Sequence, residues 1–315
     1  MEFSKSLMGK NMKIFMTGGT GFIGSKLTKA LSGEGHQVTV LTRKIREDRA
    51  PEPNILYMEG NPAEQGMWQE KVAAEYDTVI NLAGASIFRR WTKSAKRAIR
   101  DSRILTTQNL VEALAARKQR ETLLINTSAV GYYGFRGEEN LDEESSSGKD
   151  FLADIVREWE AAAMKAEDFG VRVILLRLGI VLGRDGGALN KMVTPYKWWV
   201  GSPLGSGKQW LSWIHERDLA AVYLYLLKQG NIAGPINCLA PYPVRNSEMS
   251  QILAEELEKP RIMPAVPGFL IKTILGEFGS VLLEGQNAAP KKLLDLGFRF
   301  QFPEIKAALH DLLSS

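Results

Sequence analysis

The sequence is poor in the residues that build disulfides and metal clusters. It has one cysteine, Cys238, and three histidines among 315 residues. A single cysteine excludes an internal disulfide and a cysteine-based metal cluster, and the histidines at positions 36, 215 and 310 are too scattered to indicate a metal site. We therefore expect neither a disulfide framework nor a bound metal.

Long apolar runs and strong charge bias are also missing. No stretch approaches the length that spans a bilayer, and residues 1–11 lack the apolar core of a signal peptide. We interpret those residues as a leader or an added extension, with Met12 a plausible natural start, and we expect a cytoplasmic protein with no membrane partner. Lys and Arg number 40 against 36 Asp and Glu. Because the basic residues are spread along the chain, we expect no nucleic-acid partner.

What the sequence does contain is a glycine-rich turn between a strand and a helix. Residues 14–16 form an apolar run typical of a buried strand, and apolar residues from Phe22 onward recur at helical spacing. Three glycines after the strand are spaced three apart: Gly18 allows a sharp turn, Gly21 lets a diphosphate approach the backbone, and Gly24 lets the helix pack on the sheet. The free N–H groups of the helix start favour phosphate binding. The segment predicts a dinucleotide site; a purely structural turn is the alternative.

The next strand ends in a residue that favours one cofactor over another. Residues 36–42 read as this strand, and Arg43 follows it. An acidic residue at this point would bind the ribose hydroxyl of NAD, whereas arginine suits the additional phosphate of NADP. We expect NADP(H) to be preferred over NAD(H), against the alternative of a solvated basic turn.

Strands and helices alternate up to residue 183, which predicts an α/β fold with a Rossmann-type, doubly wound parallel sheet. One of the expected helices covers residues 63–74, and a long glycine- and tryptophan-rich loop is expected after residue 183. We expect a dinucleotide-binding domain at residues 12–183, to which a segment of about 208–240 returns. Residues 184–207 and 241–315 are expected to form a smaller lobe on the substrate side. Its glycine- and tryptophan-rich stretch suits a small-molecule pocket that includes Trp210 and His215, although a core plug between two lobes is equally consistent.

Several motifs carry a resemblance to a known family. The sequence TGGTGFIG at residues 17–24, LAG at 82–84, LRLGIVLG at 176–183 and HERD at 215–218 resemble the motifs of the extended short-chain dehydrogenase/reductases, the superfamily of nucleotide-sugar epimerases. Residues 128–134, 205–215 and 283–298 are similar to an atypical "epimerase family" subgroup with a C-terminal domain of unknown function. Some relatives of that subgroup in cyanobacteria and plastids are linked to cell division.

The resemblance implies a set of cofactor contacts. By matching motifs, the dinucleotide would contact Gly18, Thr20, Gly21, Phe22, Ile23, Arg43, Leu82, Ala83, Gly84, Thr127, Ser128 and Gly179. It also implies a monomer, or a homodimer that pairs through helices expected at 93–116 and 151–169.

One catalytic motif that the resemblance implies is absent from the sequence. Enzymes of this superfamily move a proton with a tyrosine in a Tyr-x-x-x-Lys helix, but no tyrosine lies between positions 133 and 196 here. Aligning on Glu160 puts Leu152 and Val156 at the two positions. Candidate substitutes are Tyr132 or Tyr133 as acid or base, Ser128 as oxygen donor and Arg103 as cation.

Two functions remain open at this point. One is an NADP-dependent oxidoreductase or epimerase with an unknown small-molecule substrate. The other is a non-catalytic NADP(H) sensor or regulator that acts through protein partners. The pocket-like stretch around residues 198–213 favours the enzyme, because a pure sensor need not keep it.

Overall fold

The computed structural model describes residues 11–46, 50–117, 121–259 and 263–314. The leader expected at residues 1–11 lies outside the described residues except for Asn11. Within the described part of the chain, no helix is long and apolar enough to cross a membrane. In the same part, no group of three or more His, Cys, Asp or Glu residues is arranged to hold a metal ion.

Seven parallel strands form the central sheet, in the order β11-β7-β5-β4-β1-β2-β3. The described strands are β1 (Lys13–Thr17), β2 (Gln37–Thr42), β3 (Ile55–Glu59), β4 (Thr78–Asn81), β5 (Leu123–Ala129), β6 (Asn140–Leu141), β7 (Arg172–Leu178), β8 (Ile180–Gly183), β9 (Trp210–Leu211), β10 (Trp213–His215), β11 (Gly234–Cys238), β12 (Val244–Arg245) and β13 (Asn287–Ala288). The order reverses direction between β1 and β4, which is the point where such sheets bind ligands. The predicted fold class is confirmed.

Helices cover both faces of the sheet. They are α1 (Phe22–Gly33), α2 (Trp68–Glu75), α3 (Lys93–Ala115), α4 (Phe151–Met164), α5 (Gly187–Lys197), α6 (Glu216–Leu227), α7 (Asn246–Glu256), α8 (Gly268–Leu275), α9 (Phe278–Leu283), α10 (Lys291–Asp295) and α11 (Ile305–Leu313). One apolar core joins the sheet to α1 and α6, and a second joins its other face to α2 and α3. Strands buried on both faces read as continuous apolar runs, and that is why the sequence predicts them well.

A smaller core lies beyond the sheet. Helices α5, α7 and α11 pack together around Tyr196, Trp213, Leu253 and Leu309. Three short strand pairs lie outside the central sheet: β10 pairs with β8, β12 with β9 and β13 with β6. The C-terminal segment therefore packs against the loops that follow the central strands.

Two elements differ from the sequence prediction. Residues 187–197, expected as part of a glycine- and tryptophan-rich loop, form helix α5 because Leu189, Val193 and Tyr196 supply a buried face at helical spacing. The helix expected from residue 63 begins only at Trp68, since a turn follows Pro62 and the Trp68 indole donates to the Glu64 carbonyl.

The HERD motif attaches the C-terminal segment to helix α6. The carboxylate of buried Asp218 accepts hydrogen bonds from the backbone N–H groups of Gln301 at 2.7 Å and Phe302 at 2.9 Å. Burial raises the pKa of Asp218, while these two hydrogen bonds favour its ionised form. The motif is thus an anchor for the segment that leads into α11.

Substitution of Asp218 tests how much this anchor contributes to stability. We expect Asp218→Ala to lower the free energy of unfolding by about 3 kcal/mol, because it leaves two buried N–H donors without an acceptor. Chemical denaturation measures the change. Exposed Asp168 serves as control, and Asp168→Ala should change stability by less than about 0.5 kcal/mol. Equal effects of both variants would contradict the anchoring role.

Candidate functional site

The glycine turn at the end of β1 has the geometry that a diphosphate requires. Gly18 has φ of 71°, and a Cβ there would lie 2.7 Å from the Leu82 carbonyl carbon. A Cβ on Gly24 would lie 2.2 Å from the Gly18 carbonyl oxygen. At Gly21 the nearest neighbour would be the Gly18 oxygen at 3.3 Å, so its outer side is open. The turn is closed where it meets the protein and open where a ligand would approach.

The start of α1 offers unused donors beside this opening. Gly21 caps the helix without a side-chain hydrogen bond, and the N–H groups of Phe22 and Ile23 have no backbone acceptor among the described residues. Exposed Thr20 precedes them. Free N–H groups at a helix start form an anion site. The residues present therefore fit a dinucleotide diphosphate.

Phe22 is a predicted cofactor contact, but its ring packs against other residues of the protein. A Cβ on Gly183, Gly186 or Gly187 would come within 2.6–2.7 Å of ring atoms. The loop between β8 and α5 thus packs on Phe22. This close approach joins the segment before α5 to the start of α1.

A buried polar network supports the carboxyl ends of the central strands. Thr17 donates to Asn81 at 2.6 Å, and the Asn81 amide donates to Thr107 at 2.9 Å and Asn126 at 2.7 Å. The Ala83 N–H also points to the Thr17 hydroxyl, at 3.4 Å. These bonds fix residues 82–84 against the glycine turn.

Arg43 lies immediately after β2, where the adenosine ribose of a dinucleotide would lie. Its side chain is exposed, and it makes no hydrogen bond or ion pair with any residue that the structure describes. The guanidinium is therefore available for an anionic ligand group.

Two of the predicted cofactor residues are engaged by protein. The Thr127 hydroxyl lies 3.2 Å from the hydroxyl of buried Tyr223. A Cβ on Gly179 would lie 2.4 Å from the Ser212 carbonyl oxygen. Gly179 therefore permits close packing between β7 and the segment before β10.

A buried ion pair occupies the place expected for catalytic chemistry. Arg177 donates to both carboxylate oxygens of Glu160, through Nε and Nη2, at 2.8 Å each. The side chains are 3% and 8% exposed. Ser128 donates its single proton to Glu160 Oε1 at 2.5 Å. That bond leaves Ser128 no proton for a substrate oxygen, which differs from its predicted donor role.

The two tyrosines after β5 differ sharply in surroundings. Tyr133 is fully buried, donates to Asn237 at 2.7 Å and accepts from Arg177 Nη1 at 3.0 Å. Burial raises its pKa to about 12, although Arg177 acts in the opposite direction. Tyr132 is partly exposed, its ring lies 3.5 Å from the Arg177 guanidinium carbon, and its hydroxyl has no partner among the described residues. Tyr133 therefore has a structural role, whereas the Tyr132 hydroxyl is available to a ligand.

Helix α4 presents the positions of the absent tyrosine and lysine to the same turn. A Cβ on Gly131 would lie 3.6 Å from Leu152 and 4.0 Å from Val156. Glu160 follows at the same four-residue step. The face that would carry the proton-transfer pair therefore carries two aliphatic residues and the partner of Arg177.

Glu160 and Arg177 are the residues that sequence reasoning did not identify as part of the site. The available signal was Arg177, which with Arg172 is one of two charged residues in the otherwise apolar segment 171–178. A buried arginine requires a carboxylate partner. The packed helix next to that strand offers Glu160 on its buried face.

Arg103 of α3 points inward beside the loop after β4. Its Nη1 donates to the carbonyls of Ala85 at 3.1 Å and Ile99 at 2.9 Å. The other basic residues of this helix are separated from it: Lys96 pairs with Glu277 and Arg100 with Glu158. Arg103 therefore bonds to backbone carbonyls, whereas Lys96 and Arg100 form ion pairs.

The predicted pocket residues occupy separate places. The Trp210 indole donates to Glu138 at 3.2 Å and its ring lies 3.7 Å from the Arg245 guanidinium carbon. His215 is fully buried, its Nδ1 accepts from the Arg217 N–H at 3.0 Å, and its ring stacks on Phe302.

His215 therefore has a capping role that differs from its predicted place in the pocket. Its Nε2 lies 3.3 Å from Asp311 Oδ2, close enough for attraction but without hydrogen-bond geometry. Burial lowers the pKa of the ring to about 4. A neutral, enclosed imidazole that caps α6 takes no part in the site proposed below.

Comparison with known proteins shows the family to which the chain belongs. The model of the NAD dependent epimerase/dehydratase family matches residues 14–238, and that of a domain of unknown function matches residues 266–312. The chain belongs to the NAD dependent epimerase/dehydratase family. The resemblance to extended short-chain dehydrogenase/reductases is confirmed.

The relatives are similar along their whole length. The chloroplastic epimerase family protein SDR39U1 homolog of Arabidopsis thaliana is 40% identical, over 99% of this chain and 90% of its own. Epimerase family protein YfhF of Bacillus subtilis is 38% identical, over 96% and 98%. A crystal structure of human epimerase family protein SDR39U1 with NADPH superposes with a TM-score of 0.83 and 32% identity, covering 96% of this chain and 100% of that one.

Breaking the buried pair distinguishes it from surface ion pairs. We expect Glu160→Gln to lower the free energy of unfolding by about 3–5 kcal/mol, since the Arg177 charge stays buried without a counter-charge. On the same helix, Glu158→Gln removes the exposed pair with Arg100 and should cost at most about 1 kcal/mol. Urea denaturation compares the two variants, and similar losses would show that the Glu160 pair is not a buried structural link.

Proposed function

We propose that the protein is an NADP(H)-dependent oxidoreductase or epimerase that acts on a small-molecule substrate, with Tyr132 as its acid/base. One observation carries the proposal: Tyr132 has the only hydroxyl of the tyrosine pair after β5 that is free of partners among the described residues. Tyr133 and Ser128 are held by the Glu160–Arg177 pair and its neighbours.

NADP(H) is the proposed cofactor. The open glycine turn and the unused N–H groups of α1 suit its diphosphate, and exposed Arg43 suits the 2′-phosphate. The human relative with a TM-score of 0.83 holds NADPH. The predicted contacts at residues 82–84 would place its nicotinamide half along the loop after β4.

The cofactor and the chain would supply different parts of the reaction. When bound, NADP(H) supplies a hydride donor or acceptor. The chain must give a proton to the substrate oxygen or take one from it, and a phenol can do this. Tyr132 would exchange that proton, while Ser128 and Tyr133 keep the Glu160–Arg177 pair in place beneath it. Arg103 adds a positive charge beside Gly84.

The proposal extends to the domains, the substrate pocket, the cellular compartment and the oligomeric state. We propose that residues 12–183 and about 208–240 hold the cofactor, that residues 184–207 and 241–315 face the substrate, and that Trp210 borders the substrate pocket. We further propose a cytoplasmic protein that is a monomer or a homodimer. A light-scattering mass decides between the two oligomeric states.

Cofactor choice is tested at Arg43. We expect Arg43→Ala to weaken NADPH binding by about tenfold to a hundredfold, because a charge-assisted contact to the 2′-phosphate is lost. NADH lacks that phosphate, so its affinity should be almost unchanged. Fluorescence titration with both dinucleotides measures the effect. An equal loss for NADPH and NADH would contradict the assignment.

Catalysis is tested at Tyr132. With NADPH and a panel of carbonyl compounds, we expect the wild-type protein to oxidise NADPH and Tyr132→Phe to lose at least about 100-fold in rate. NADPH affinity should be unchanged, since the hydroxyl takes part in proton transfer only. Tyr242→Phe, at a tyrosine that is 60% exposed, is the control. Unimpaired turnover by Tyr132→Phe would overturn the assignment.

A non-catalytic NADP(H) sensor or regulator is the second candidate function. It is favoured by the aliphatic residues, Leu152 and Val156, at the positions of the tyrosine and lysine. A protein that binds NADPH, oxidises it with no compound of the panel, and keeps its cellular phenotype as Tyr132→Phe would match this second function. Absence of NADPH binding would contradict both candidates.

A further inference from the structure

The guanidinium of Arg103 is an enclosed cation without an anionic partner. It reaches from α3 toward the loop after β4, and the Trp159 ring centre lies 5.3 Å from its Cζ. No carboxylate among the described residues forms an ion pair or a hydrogen bond with it. Proteins rarely enclose a charge without a counter-charge.

Within the part of the chain that the structure describes, the hydrogen bonds of this guanidinium come from one nitrogen. Both hydrogen bonds, to Ala85 and Ile99, come from Nη1. Nε and Nη2 donate to no described residue, and neither is among the sealed buried atoms that lack a partner. These two nitrogens therefore reach open space on one edge of the guanidinium.

That edge borders the predicted cofactor loop. A Cβ on Gly84 would lie 3.1 Å from Arg103 Cζ, 3.2 Å from Nη2 and 3.4 Å from Nε. The absence of a side chain at Gly84 thus leaves room along the Nε–Nη2 edge. Residues 82–84 also pack on Gly18, so this edge lies on the side of the sheet where the glycine turn opens.

Burial does not remove the charge. Desolvation lowers the pKa of Arg103 to about 10, which keeps the guanidinium protonated at neutral pH. Two parallel donors on one edge match the two oxygens of a carboxylate or a phosphate. Lysine could not present this fork.

We propose that the Nε–Nη2 edge of Arg103 is a binding site for a two-oxygen anion, a carboxylate or a phosphate, of the ligand that lies beside Gly84. The anion comes from one of two sources: the diphosphate of NADP(H), or an anionic group of the substrate. The inference rests on the proposed function only for the identity of the neighbouring cofactor. Arg103 would thus contact a ligand with defined geometry, rather than act only as a nearby positive charge.

Inorganic phosphate and acetate test the site without any cofactor. Each is titrated at constant ionic strength, and the melting temperature is recorded. We expect both to stabilise the wild-type protein. Arg103→Lys keeps the charge but loses the fork, and should weaken the apparent affinity by about tenfold or more. Arg97→Met, at an exposed arginine of the same helix without a described partner, is the matched control and should behave as wild type.

A second variant guards against a folding defect at Arg103. Gly84→Ala leaves Arg103 intact but places a methyl group against its Nε–Nη2 edge, and it should also weaken anion binding. Anion stabilisation that is equal in wild type, Arg103→Lys and Gly84→Ala would overturn the proposal, as would no anion effect on the wild-type protein.

NADPH titration then distinguishes the source. If Arg103→Lys weakens NADPH binding by about tenfold or more, the cofactor supplies the anion. If NADPH affinity is unchanged but phosphate or acetate no longer stabilises the NADP-saturated variant, the substrate supplies it. A wild-type protein that binds phosphate at Arg103 but no NADPH would contradict the proposed function and leave the anion site standing.

Discussion

The buried ion pair between Glu160 and Arg177 organises this end of the molecule. Arg177 belongs to β7 and Glu160 to α4, which packs over it. Ser128 belongs to the neighbouring strand β5, and Tyr133 to the turn that follows β5. Neither charge can lose its partner without a large cost, because both lie away from water. This one requirement fixes the relative positions of three chain segments: residues 128–133, α4 and β7.

The pair also connects the sheet to the C-terminal segment. Tyr133 donates to Asn237, whose side chain donates to the Ala289 carbonyl and whose backbone N–H donates to Glu143. Glu143 in turn accepts from the Lys292 N–H. The domain of unknown function is thus tied by hydrogen bonds to the residues beneath the proposed site. We infer that it helps to position Tyr132 and the loop that carries it.

The sequence predicts the cofactor half of the site because its signals are local. A strand, four glycines and a helix start lie within residues 12–24. The approaches of Gly21 and Gly24 to Gly18 are close in sequence, whereas Gly18 meets Leu82 and Gly19 meets Val40 across the sheet. The absence of the tyrosine–lysine pair is equally local. Strand positions follow from apolar runs, as residues 55–59 show.

The candidate catalytic and substrate-pocket residues depend on tertiary packing, which no local sequence pattern reveals. Tyr132 and Tyr133 are adjacent and identical in type, and what separates their roles is that Arg177 and Asn237 hydrogen-bond to the Tyr133 hydroxyl. His215 looks like a site residue until Asp311 and Phe302 close over it. Helix α5 was mistaken for a loop because Gly186, Gly187 and Pro195 suggest turns, whereas its buried face becomes visible only against α7.

The central claim is that NADP(H) occupies the open glycine turn with its reactive end beside Tyr132, while the Glu160–Arg177 pair remains closed beneath. A crystal structure of the NADPH complex tests it most directly. The account predicts the 2′-phosphate at Arg43 and the Tyr132 hydroxyl facing the nicotinamide across a space for substrate. A nicotinamide on the far side of the ring from Tyr132, or an ion pair opened to contact the cofactor, would contradict it.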